Sequence, residues 1–477
     1  MPHTPVDPIS AHHDSAHHDS AHHVADHHAS VHHVPDHPLF AHDVSSSDVA
    51  APLAGIPQAA ADGAGRHVVV VGAGITGVTT AYELLTRGYA VTVLDRQRYP
   101  AMETSFANGG QLSASNAEVW NSWATVLKGL RWMFRSDAPL RLGLAPSWHK
   151  LSWLAEFMAA IPRREPNTIA TARLAIAARE RLFAIARQEG IDFSHETRGI
   201  LHVYRDRAGW EHAAAVNRLL AAGGLARRPV SATEIHDIEP TLHGRWYGGF
   251  LTPSDSTGDI HMFTRQLAQA CRRRGARFVQ NAEVTAASAD TRGVRLGWRT
   301  GDDVGVLTAD LVVVCAGVGS RRIAAMLGDR LNVYPVKGYS ITVELHDDIS
   351  RRAAPWVSLL DDEAKVVSSR LGPDRLRVAG TAEIAGFGLD IRADRVRPLV
   401  EWTQRLFPAV ATDRVIPWAG LRPMMPDMMP RVGPGRHPRV FYNTGHGHLG
   451  WTLAAATAAL VADRIAGDPA GRLDRAA

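Results

Sequence analysis

The stretch that decides the fold runs from His67 to Asp95 and reads HVVVVGAGITGVTTAYELLTRGYAVTVLD. Its four valines at 68–71 predict a buried strand, residues 79–87 a helix, and residues 90–94 a second strand. Three glycines between the first strand and the helix form the pattern G-x-G-x-x-G. This order of strand, glycine turn, helix and strand predicts a βαβ unit that binds a dinucleotide.

Each glycine of the turn has a separate expected task. Gly72 permits the tight turn, Gly74 lets a pyrophosphate approach the backbone, and Gly77 lets the helix pack on the strand. The helix N-terminus offers free N–H groups and partial positive charge to the phosphates. Asp95 lies about 20 residues further on, where a carboxylate can accept both ribose hydroxyls. The motif alone does not choose between NAD and FAD.

Composition excludes several classes of protein. A chain of 477 residues is long enough for two or three domains. The net charge of +4 is spread without a concentrated basic patch, so charge predicts no nucleic-acid partner. The two cysteines, Cys271 and Cys315, fit a reducing compartment. No stretch reads as a membrane span: the longest apolar candidate, residues 449–465, contains Asp463 and Arg464 and reads as a buried helix.

Residues 1–64 are predicted to be a disordered tail. Histidine pairs recur every five residues among Ala, Asp and Ser, beginning at His12, His17, His22, His27 and His32. Such a polar repeat buries too little apolar surface to offset its ordering entropy. Histidine-rich tracts can bind metal, although a low-complexity tail without function is the simpler interpretation. The tail lacks the apolar core of a secretory signal, so folding is expected to start near Arg66.

The region after Asp95 offers two contested features. Residues 96–120 show no period and are rich in Thr, Ser, Asn and Gly, which suits either a cofactor-facing loop or an ordinary surface loop. Residues 117–190 read as helices. Their tryptophans and cations could dock on a membrane surface, but packing on the protein body is the favoured interpretation. These residues are Trp120, Trp123, Lys128, Arg131, Trp132, Arg135, Arg141, Trp148 and Trp153.

Later segments predict a discontinuous architecture. The apolar run ADLVVVCAGVGS around residues 309–320 reads as another buried parallel strand entering a glycine turn. Alternating patterns over residues 331–420 predict a large, mostly antiparallel sheet. The expected fold is therefore α/β: a discontinuous Rossmann-like nucleotide domain plus a substrate domain. The predicted division assigns 65–116, 253–330 and 416–470 to the nucleotide domain, and 117–252 and 331–415 to the helical segment and substrate domain.

The C-terminal segment RVFYNTGHGHLGWT predicts a strand, a glycine-rich turn and a helix. Gly445, Gly447 and Gly450 are expected to let backbone approach a planar ligand. The helix beginning near Leu449 would point its positive end at that ligand. A reduced flavin carries negative charge at N1 and the C2 carbonyl, whereas a nicotinamide has no such need. This turn favours FAD over NAD.

Together these segments resemble the FAD-dependent D-amino acid dehydrogenases, within the wider D-amino acid oxidase and glycine oxidase group. The resemblance covers the chain from about Val68 to Ile465. The matching segments are VVVVGAGITGV, LDRQ, ETSFANGGQLS, LKGLRWMF, DSTGD, YPVKGYSIT, VAGTAEIAGF, WAGLRPM and YNTGHGHLGWT.

The resemblance implies a non-covalent FAD and a set of residues that hold it. The implied cofactor residues are Val71, Gly72, Ala73, Gly74, Ile75, Thr76, Gly77, Asp95, Arg96, Thr104, Ser105, Asn108, Gly109, Gly110, Gln111, Leu112, Val284, Ala316, Gly317, Gly447, His448, Leu449, Gly450, Trp451 and Thr452. Arg422 in GLRP would hold the substrate carboxylate, and a planar guanidinium suits that task. Tyr339 and His446 are further candidates for the substrate pocket. No metal site is expected there.

The chain departs from the family pattern at two places. It reads MPDMM where the dehydrogenases usually read TPDG after GLRPM, and it has His448 where Thr is common. Both departures are expected near the pocket mouth or the flavin edge. They put substrate size and preference in doubt more than the reaction.

The implied reaction is oxidative deamination of a D-amino acid such as D-alanine. Hydride would pass from Cα to flavin N5, and the imino acid would hydrolyse to a 2-oxo acid and ammonia. The resemblance further implies a quinone or respiratory acceptor and a cytoplasmic location, with peripheral contact at the inner membrane's cytoplasmic face left open.

Three alternatives stay open from the sequence. One is an oxidase that makes hydrogen peroxide, and another is an enzyme for secondary amino acids or glycine, with sarcosine or hydroxyproline as examples. The third is no enzyme: a His-rich metal-binding protein on a nucleotide-binding scaffold.

Overall fold

The structure is a computed structural model, and it describes residues 66–132, 140–143 and 147–467. The predicted disordered tail, residues 1–64, lies outside the described residues, as does Arg135. In chain order the described strands are β1 His67–Val71, β2 Ala90–Leu94, β3 Gln111–Leu112, β4 Leu140–Leu142, β5 Ile200–Tyr204, β6 Arg228–Ser231, β7 Gly248–Thr252, β8 Ser256–Thr257, β9 Arg277–Val279, β10 Glu283–Ala289, β11 Val294–Thr300, β12 Asp303–Ala309, β13 Leu311–Val314, β14 Tyr334–Glu344, β15 Ser358–Asp361, β16 Val366–Arg370, β17 Arg375–Ile384, β18 Val415–Met424, β19 Arg431–Pro434 and β20 Val440–Thr444.

Helices occupy much of the remaining described chain. They are α1 Ile75–Thr86, α2 Trp123–Trp132, α3 Trp148–Ala159, α4 Arg164–Glu189, α5 Arg207–Ala222, α6 Ala232–Ile238, α7 Ile260–Arg273, α8 Ser320–Met326, α9 Asp348–Ala353, α10 Ala393–Leu406 and α11 Gly450–Ala466.

The predicted nucleotide unit forms a six-stranded sheet in the order β19-β20-β13-β1-β2-β9. Val68 pairs in parallel with Leu311 on one side and with Val91 on the other. Only β19 runs antiparallel to its neighbour. The chain returns to this sheet far along its length, at β9 and then at β13, the latter as the second apolar run predicts. The carboxyl ends of its parallel strands open towards one crevice, which is where such sheets bind ligands.

Both faces of the central strand β1 are covered. Val68 and Val70 pack in a buried cluster with residues of α1, α7 and α11, whereas Val69 and Val71 pack with residues of the three-stranded sheet β10-β11-β12. A strand buried on both faces reads as a continuous apolar run rather than an alternating one. This arrangement explains the four consecutive valines.

The second large sheet has nine strands and is mostly antiparallel. Its order is β18-β14-β17-β16-β15-β5-β7-β6, with β4 beside β17. The long strand β14 lies between β17 and β18, and it is buried along nearly its whole length. The α/β fold with two sheets is thus confirmed, while the domain boundaries within it stay predictions.

Among the described residues, one helical segment, Gly447–Ala466, is apolar and long enough to cross a membrane. Of its most apolar 18-residue stretch, 67% is buried inside the protein. Its helix α11 packs against α1 and α4. The helix is therefore a buried core helix. Asp463 and Arg464 near its end led to the same prediction from the sequence.

Candidate active site

A cavity of about 610 Å³ lies between the carboxyl ends of the parallel strands and the nine-stranded sheet. It brings together nearly all the residues that the sequence marks. The predicted residues that line it are Val71, Gly72, Gly74, Ile75, Thr76, Asp95, Arg96, Thr104, Ser105, Asn108, Gly109, Gly110, Gln111, Val284, Ala316, Gly317, Tyr339, Arg422, His446, Gly447, His448, Leu449, Gly450, Trp451 and Thr452. Ala73, Gly77 and Leu112 are not among the lining residues.

In the first glycine turn, packing within the protein requires two of the glycines, whereas the third has room beside it for a ligand. A Cβ at Gly72 would lie 2.6 Å from the carbonyl oxygen of Cys315, and one at Gly77 would overlap the carbonyl oxygen of Gly72. Gly72 also has φ +111°, which disfavours any other residue. A Cβ at Gly74, by contrast, would meet only Ser105 Oγ, at 3.4 Å. Packing within the protein thus leaves more room at Gly74 than at Gly72 or Gly77, which fits a ligand approaching at that point.

Asp95 closes this end of the cavity. Its carboxylate accepts hydrogen bonds from the backbone N–H of Ala73 at 2.5 Å and of Gln97 at 2.7 Å. Burial raises the pKa of Asp95 to about 6, although both N–H groups act in the opposite direction. A carboxylate has about four acceptor sites, so it retains capacity for ribose hydroxyls.

The C-terminal turn needs glycine for reasons within the protein. Gly445 and Gly447 have φ +78° and +59°, and a Cβ at these positions would meet the side chains of Met425 and Met424. Both glycines also line the cavity, and their expected role in the approach of a planar ligand stays a prediction. Gly450, at the start of α11, has no such close contact.

The two histidines of this turn have different surroundings. His446 is buried, its Nε2 lies 2.9 Å from Thr457 Oγ1, and burial lowers its pKa to about 3. His448 stacks on Trp120, with ring centroids 4.7 Å apart and an angle of 19° between the planes. Its Nε2 lies 3.3 Å from the carbonyl oxygen of Asn116. Burial, with a contribution from Arg422, lowers the pKa of His448 to about 4, so both rings are neutral at pH 7.

Arg422 is a half-buried cation that has no ion-pair partner among the described residues. Its Nη1 donates to the carbonyl oxygen of Thr381 at 2.9 Å, and its guanidinium lies against Gly338, where a Cβ would overlap it. No described residue forms an ion pair with it, and burial lowers its pKa to about 10. A partly buried charge of this kind is costly unless an anion pairs with it. The site is therefore suited to bind a carboxylate.

Tyr339 lies on the wall of the same cavity. Its hydroxyl donates to Glu383 Oε2 at 3.0 Å, and burial together with that carboxylate raises the pKa of the phenol. Tyr339 is thus held as a neutral phenol. No described contact tests its predicted role towards the substrate.

Sequence reasoning missed Trp120 and Trp418 as wall residues. Trp418, Gly420 and Arg422 all line the cavity. They are two residues apart along β18, so strand alternation counted back from Arg422 would have found Trp418. The position of Trp120 had no such local signal, because its partner His448 lies at the other end of the chain.

Some other chemistries find no support in the part of the chain that is described. No group of three or more His, Cys, Asp or Glu side chains is arranged to hold a metal ion within these residues. Cys271 and Cys315 are buried free thiols, and burial raises the pKa of Cys315 to about 12. Neither thiol is poised as a nucleophile.

Comparison with known proteins agrees with this geometry. The family described as FAD dependent oxidoreductase (DAO) matches residues 67–464. A D-amino acid dehydrogenase 3 of Mesorhizobium japonicum is 63% identical over 401 residues, covering 84% of this chain and 97% of that protein. A D-amino acid dehydrogenase of Paramagnetospirillum magneticum is 41% identical over 413 residues, covering 84% of this chain and 95% of that protein.

Solved structures share the fold at low sequence identity. A glycine oxidase from Geobacillus kaustophilus superposes with a TM-score of 0.67 at 22% identity, covering 84% of this chain and 95% of that one. An L-proline dehydrogenase from P. horikoshii gives 0.65 at 18% identity, covering 85% and 94%.

The residues around the cavity also fit FAD. Room for approach at Gly74, a half-buried carboxylate at Asp95 and the N-terminus of α11 at the far end match the needs of a long dinucleotide with a polar flavin ring. Taken with the family match, this fit makes FAD the cofactor: the chain belongs to the FAD-dependent oxidoreductases.

Proposed function

We propose that this enzyme oxidises D-amino acids such as D-alanine to 2-oxo acids and ammonia. The single observation that carries the proposal is the half-buried guanidinium of Arg422 in the wall of the FAD cavity, which forms no ion pair with any described residue. It would take the substrate carboxylate through two parallel hydrogen bonds. The name of the relative at 63% identity, a D-amino acid dehydrogenase, supports the substrate class and its configuration.

Under this proposal the chain acts mainly by binding and orientation. Arg422 would fix the carboxylate, so that the substrate Cα–H is aimed at one face of the cofactor. FAD, when bound, supplies the acceptor for the hydride that leaves Cα. The substrate reacts with its amine neutral, and the imino acid released takes up water to give the 2-oxo acid and ammonia. No residue is assigned as a catalytic base.

Two groups of residues would hold the cofactor. The turn after β1, with Asp95, would take the adenosine and pyrophosphate portion. Residues 104–112 and the segment Gly447–Thr452 would border the flavin. The N-terminus of α11 points its partial positive charge into this end of the cavity, which would favour negative charge on the flavin's pyrimidine edge.

The test is anaerobic addition of single amino acids to the yellow protein. D-Alanine is expected to bleach the flavin absorbance, while L-alanine leaves it unchanged. Sarcosine, hydroxyproline and glycine in the same panel test the alternative substrates. Bleaching by one of those compounds, with none by D-alanine or other D-amino acids, would overturn the proposal. A colourless protein that takes up metal through residues 1–64 would instead favour the metal-binding alternative.

We propose that the electrons then pass to a quinone or another respiratory acceptor, at the cytoplasmic face of the inner membrane. The supporting observation is the exposure of Trp123 and Leu127 on α2, next to Ala124 and Thr125, which line the cavity. Large apolar side chains exposed beside a cavity mouth are typical of an interaction surface. Dye or quinone reduction in air, compared with hydrogen peroxide formation, separates this proposal from an oxidase.

A further inference from the structure

Residues 107–111 lie across four neighbouring strands of the nine-stranded sheet, and each strand contributes a side chain that holds the segment. Ser340 on β14, Arg377 on β17 and Ser369 on β16 donate hydrogen bonds to the segment. Ser358 on β15 accepts one from it. The hydrogen bonds join Ser340 Oγ to Ala107 O at 2.6 Å, Arg377 Nη1 to Asn108 O at 3.0 Å, Ser369 Oγ to Gly109 O at 2.7 Å, and Gln111 Nε2 to Ser358 Oγ at 2.8 Å. The sheet therefore fixes three successive carbonyl groups of the 107–111 segment.

Fixing the carbonyls also orients the N–H groups. In a planar trans peptide the N–H points opposite to the C=O. The N–H groups of Asn108 and Gly109 consequently point away from the sheet, and both residues line the FAD cavity. Neither N–H has a hydrogen-bond partner among the described residues, whereas that of Gly110 bonds to Asn108 Oδ1 at 3.0 Å. The segment thus presents two donors on the side of the cavity.

Arg377 is the charged member of this set. It is fully buried, and its Nε donates to Thr342 Oγ1 at 2.9 Å. The carboxylate that acts on it is Asp259, which Arg375 already holds at 2.7 Å. The three side chains together carry one excess positive charge. The Nη2 atom of Arg377 is buried and has no hydrogen-bond partner among the described residues.

We propose that Arg377 is a positioning residue for the flavin: through Asn108 O it orients and polarises the peptide that faces the cofactor, and its charge favours the reduced form. Two-electron reduction adds negative charge to the cofactor. A fixed cation behind the contacting peptide, in a site of low dielectric, stabilises that charge. The proposal rests on the proposed placement of FAD along residues 107–111, and not on the identity of the substrate.

The experiment compares Arg377→Gln and Arg377→Lys by the reduction potential of the bound flavin, measured by dye equilibration with no amino acid present. Gln keeps a donor for Asn108 O but loses the charge, and Lys keeps the charge without the planar fork. We expect Arg377→Gln to lower the potential by about 30 mV or more, the equivalent of a tenfold change in the two-electron equilibrium. Arg377→Lys is expected to shift the potential less.

The matched control is Arg370→Gln. Arg370 is another buried arginine of the same sheet, but its guanidinium donates to the carbonyl groups of Arg351, Ala354, Gly372 and Pro373, none of which lines the cavity. The reduction potential of the flavin in Arg370→Gln is expected to equal that in the parent protein.

The proposal is overturned if the flavin in Arg377→Gln keeps the parent potential, or if Arg370→Gln shifts the potential by the same amount as Arg377→Gln. Should Arg377→Gln not fold, Arg377→Met, which also removes the charge, takes its place: a potential equal to the parent's in that variant overturns the proposal. Because no substrate is present, a wrong assignment of the substrate would leave all these values unchanged.

Discussion

At the residue scale, Arg422 is expected to lower the stability of the substrate-free protein while it strengthens binding of the substrate carboxylate. Its guanidinium is half-buried and has no ionic partner among the described residues, and this partial loss of hydration costs free energy in the substrate-free protein. Arg422→Met is therefore expected to leave the melting temperature unchanged or to raise it. The same change removes two charge-assisted hydrogen bonds to the carboxylate, so kcat/KM for D-alanine should fall by on the order of 100-fold or more. Thermal melting and steady-state kinetics on one preparation check both expectations.

Arg375→Met is the control for that prediction. Arg375 is buried, and it pairs with Asp259 at 2.7 Å. Its loss removes the direct ion pair of a buried carboxylate, so the melting temperature should drop. If Arg422→Met destabilised the protein as much as Arg375→Met, the unpaired charge of Arg422 would have to be compensated by a group that the structure does not show.

Asp95 links cofactor binding to pH. Burial raises its pKa to about 6 in the protein without FAD. A raised carboxyl pKa makes the cofactor-free protein less stable as the pH rises from about 4 to about 6, since the unfolded chain ionises first. Ribose hydroxyls that donate to the carboxylate favour its charged form, so FAD affinity should increase from pH 5 to pH 7 and then level off. Fluorescence titration of FAD measures this, and Asp95→Asn should flatten the profile.

His448 offers a test of substrate size. Its ring stacks on Trp120, and both rings form part of the cavity wall. His448→Thr removes the stack and opens this wall, whereas His448→Phe retains an aromatic ring there. We expect kcat/KM for D-phenylalanine relative to D-alanine to rise about tenfold in His448→Thr. The ratio should stay near the parent value in His448→Phe. Equal ratios in both variants and the parent would place the substrate side chain elsewhere.

At the scale of the elements, the βαβ unit separates folding from ligand binding among its glycines. An alanine at Gly77 would overlap the backbone of Gly72, so Gly77→Ala should lower the melting temperature of the cofactor-free protein strongly or prevent folding. An alanine at Gly74 meets only Ser105 Oγ, at 3.4 Å. Gly74→Ala should therefore fold with a nearly unchanged melting temperature but bind FAD at least about tenfold more weakly. Melting of the cofactor-free proteins and FAD titration separate the two effects. Comparable FAD affinity in Gly74→Ala and the parent would argue against pyrophosphate contact at this glycine.

The same scale shows what the sequence could predict. Local period and turn chemistry were sufficient for β1, α1 and β2, for the return of the sheet at β13 and for the mostly antiparallel second sheet, because each carries its own pattern. The packing reason for Gly445 and Gly447 could not be predicted, since the methionines that fill their space lie on another segment. The bond from Arg377 to Asn108 joins residues 269 positions apart, and the stack of Trp120 on His448 is equally non-local. Such contacts arise from tertiary packing, which no local period records.

At the scale of the whole molecule, the cavity wall ends at a surface that carries exposed apolar side chains. Trp123 on α2 and Trp148 on α3 are 61% and 82% exposed, and both helices contribute residues to one hydrophobic cluster, around Trp153. The expectation that the tryptophans of this region pack on the protein body thus holds for Trp153 but not for Trp123 and Trp148. The side chains of Lys128, Arg131, Trp132 and Arg141 are not among those described.

The exposed pair supports a prediction about membrane contact. Tryptophan is favoured at the interface between lipid and water, so a surface that presents Trp123 and Trp148 should bind vesicles. We expect Trp123→Gln/Trp148→Gln to reduce co-sedimentation with anionic phospholipid vesicles several-fold and to slow reduction of a vesicle-borne quinone. The rate at which D-alanine reduces a water-soluble dye should stay unchanged, because the wall of the substrate cavity remains intact.

The control is the pair Val304→Gln/Val306→Gln, which alters exposed apolar side chains on β12. This strand does not line the cavity, and the change should leave vesicle binding as it is. If the tryptophan variant bound vesicles and reduced quinone as well as the parent, this face would not be the membrane contact, and the acceptor would have to reach the flavin from solution.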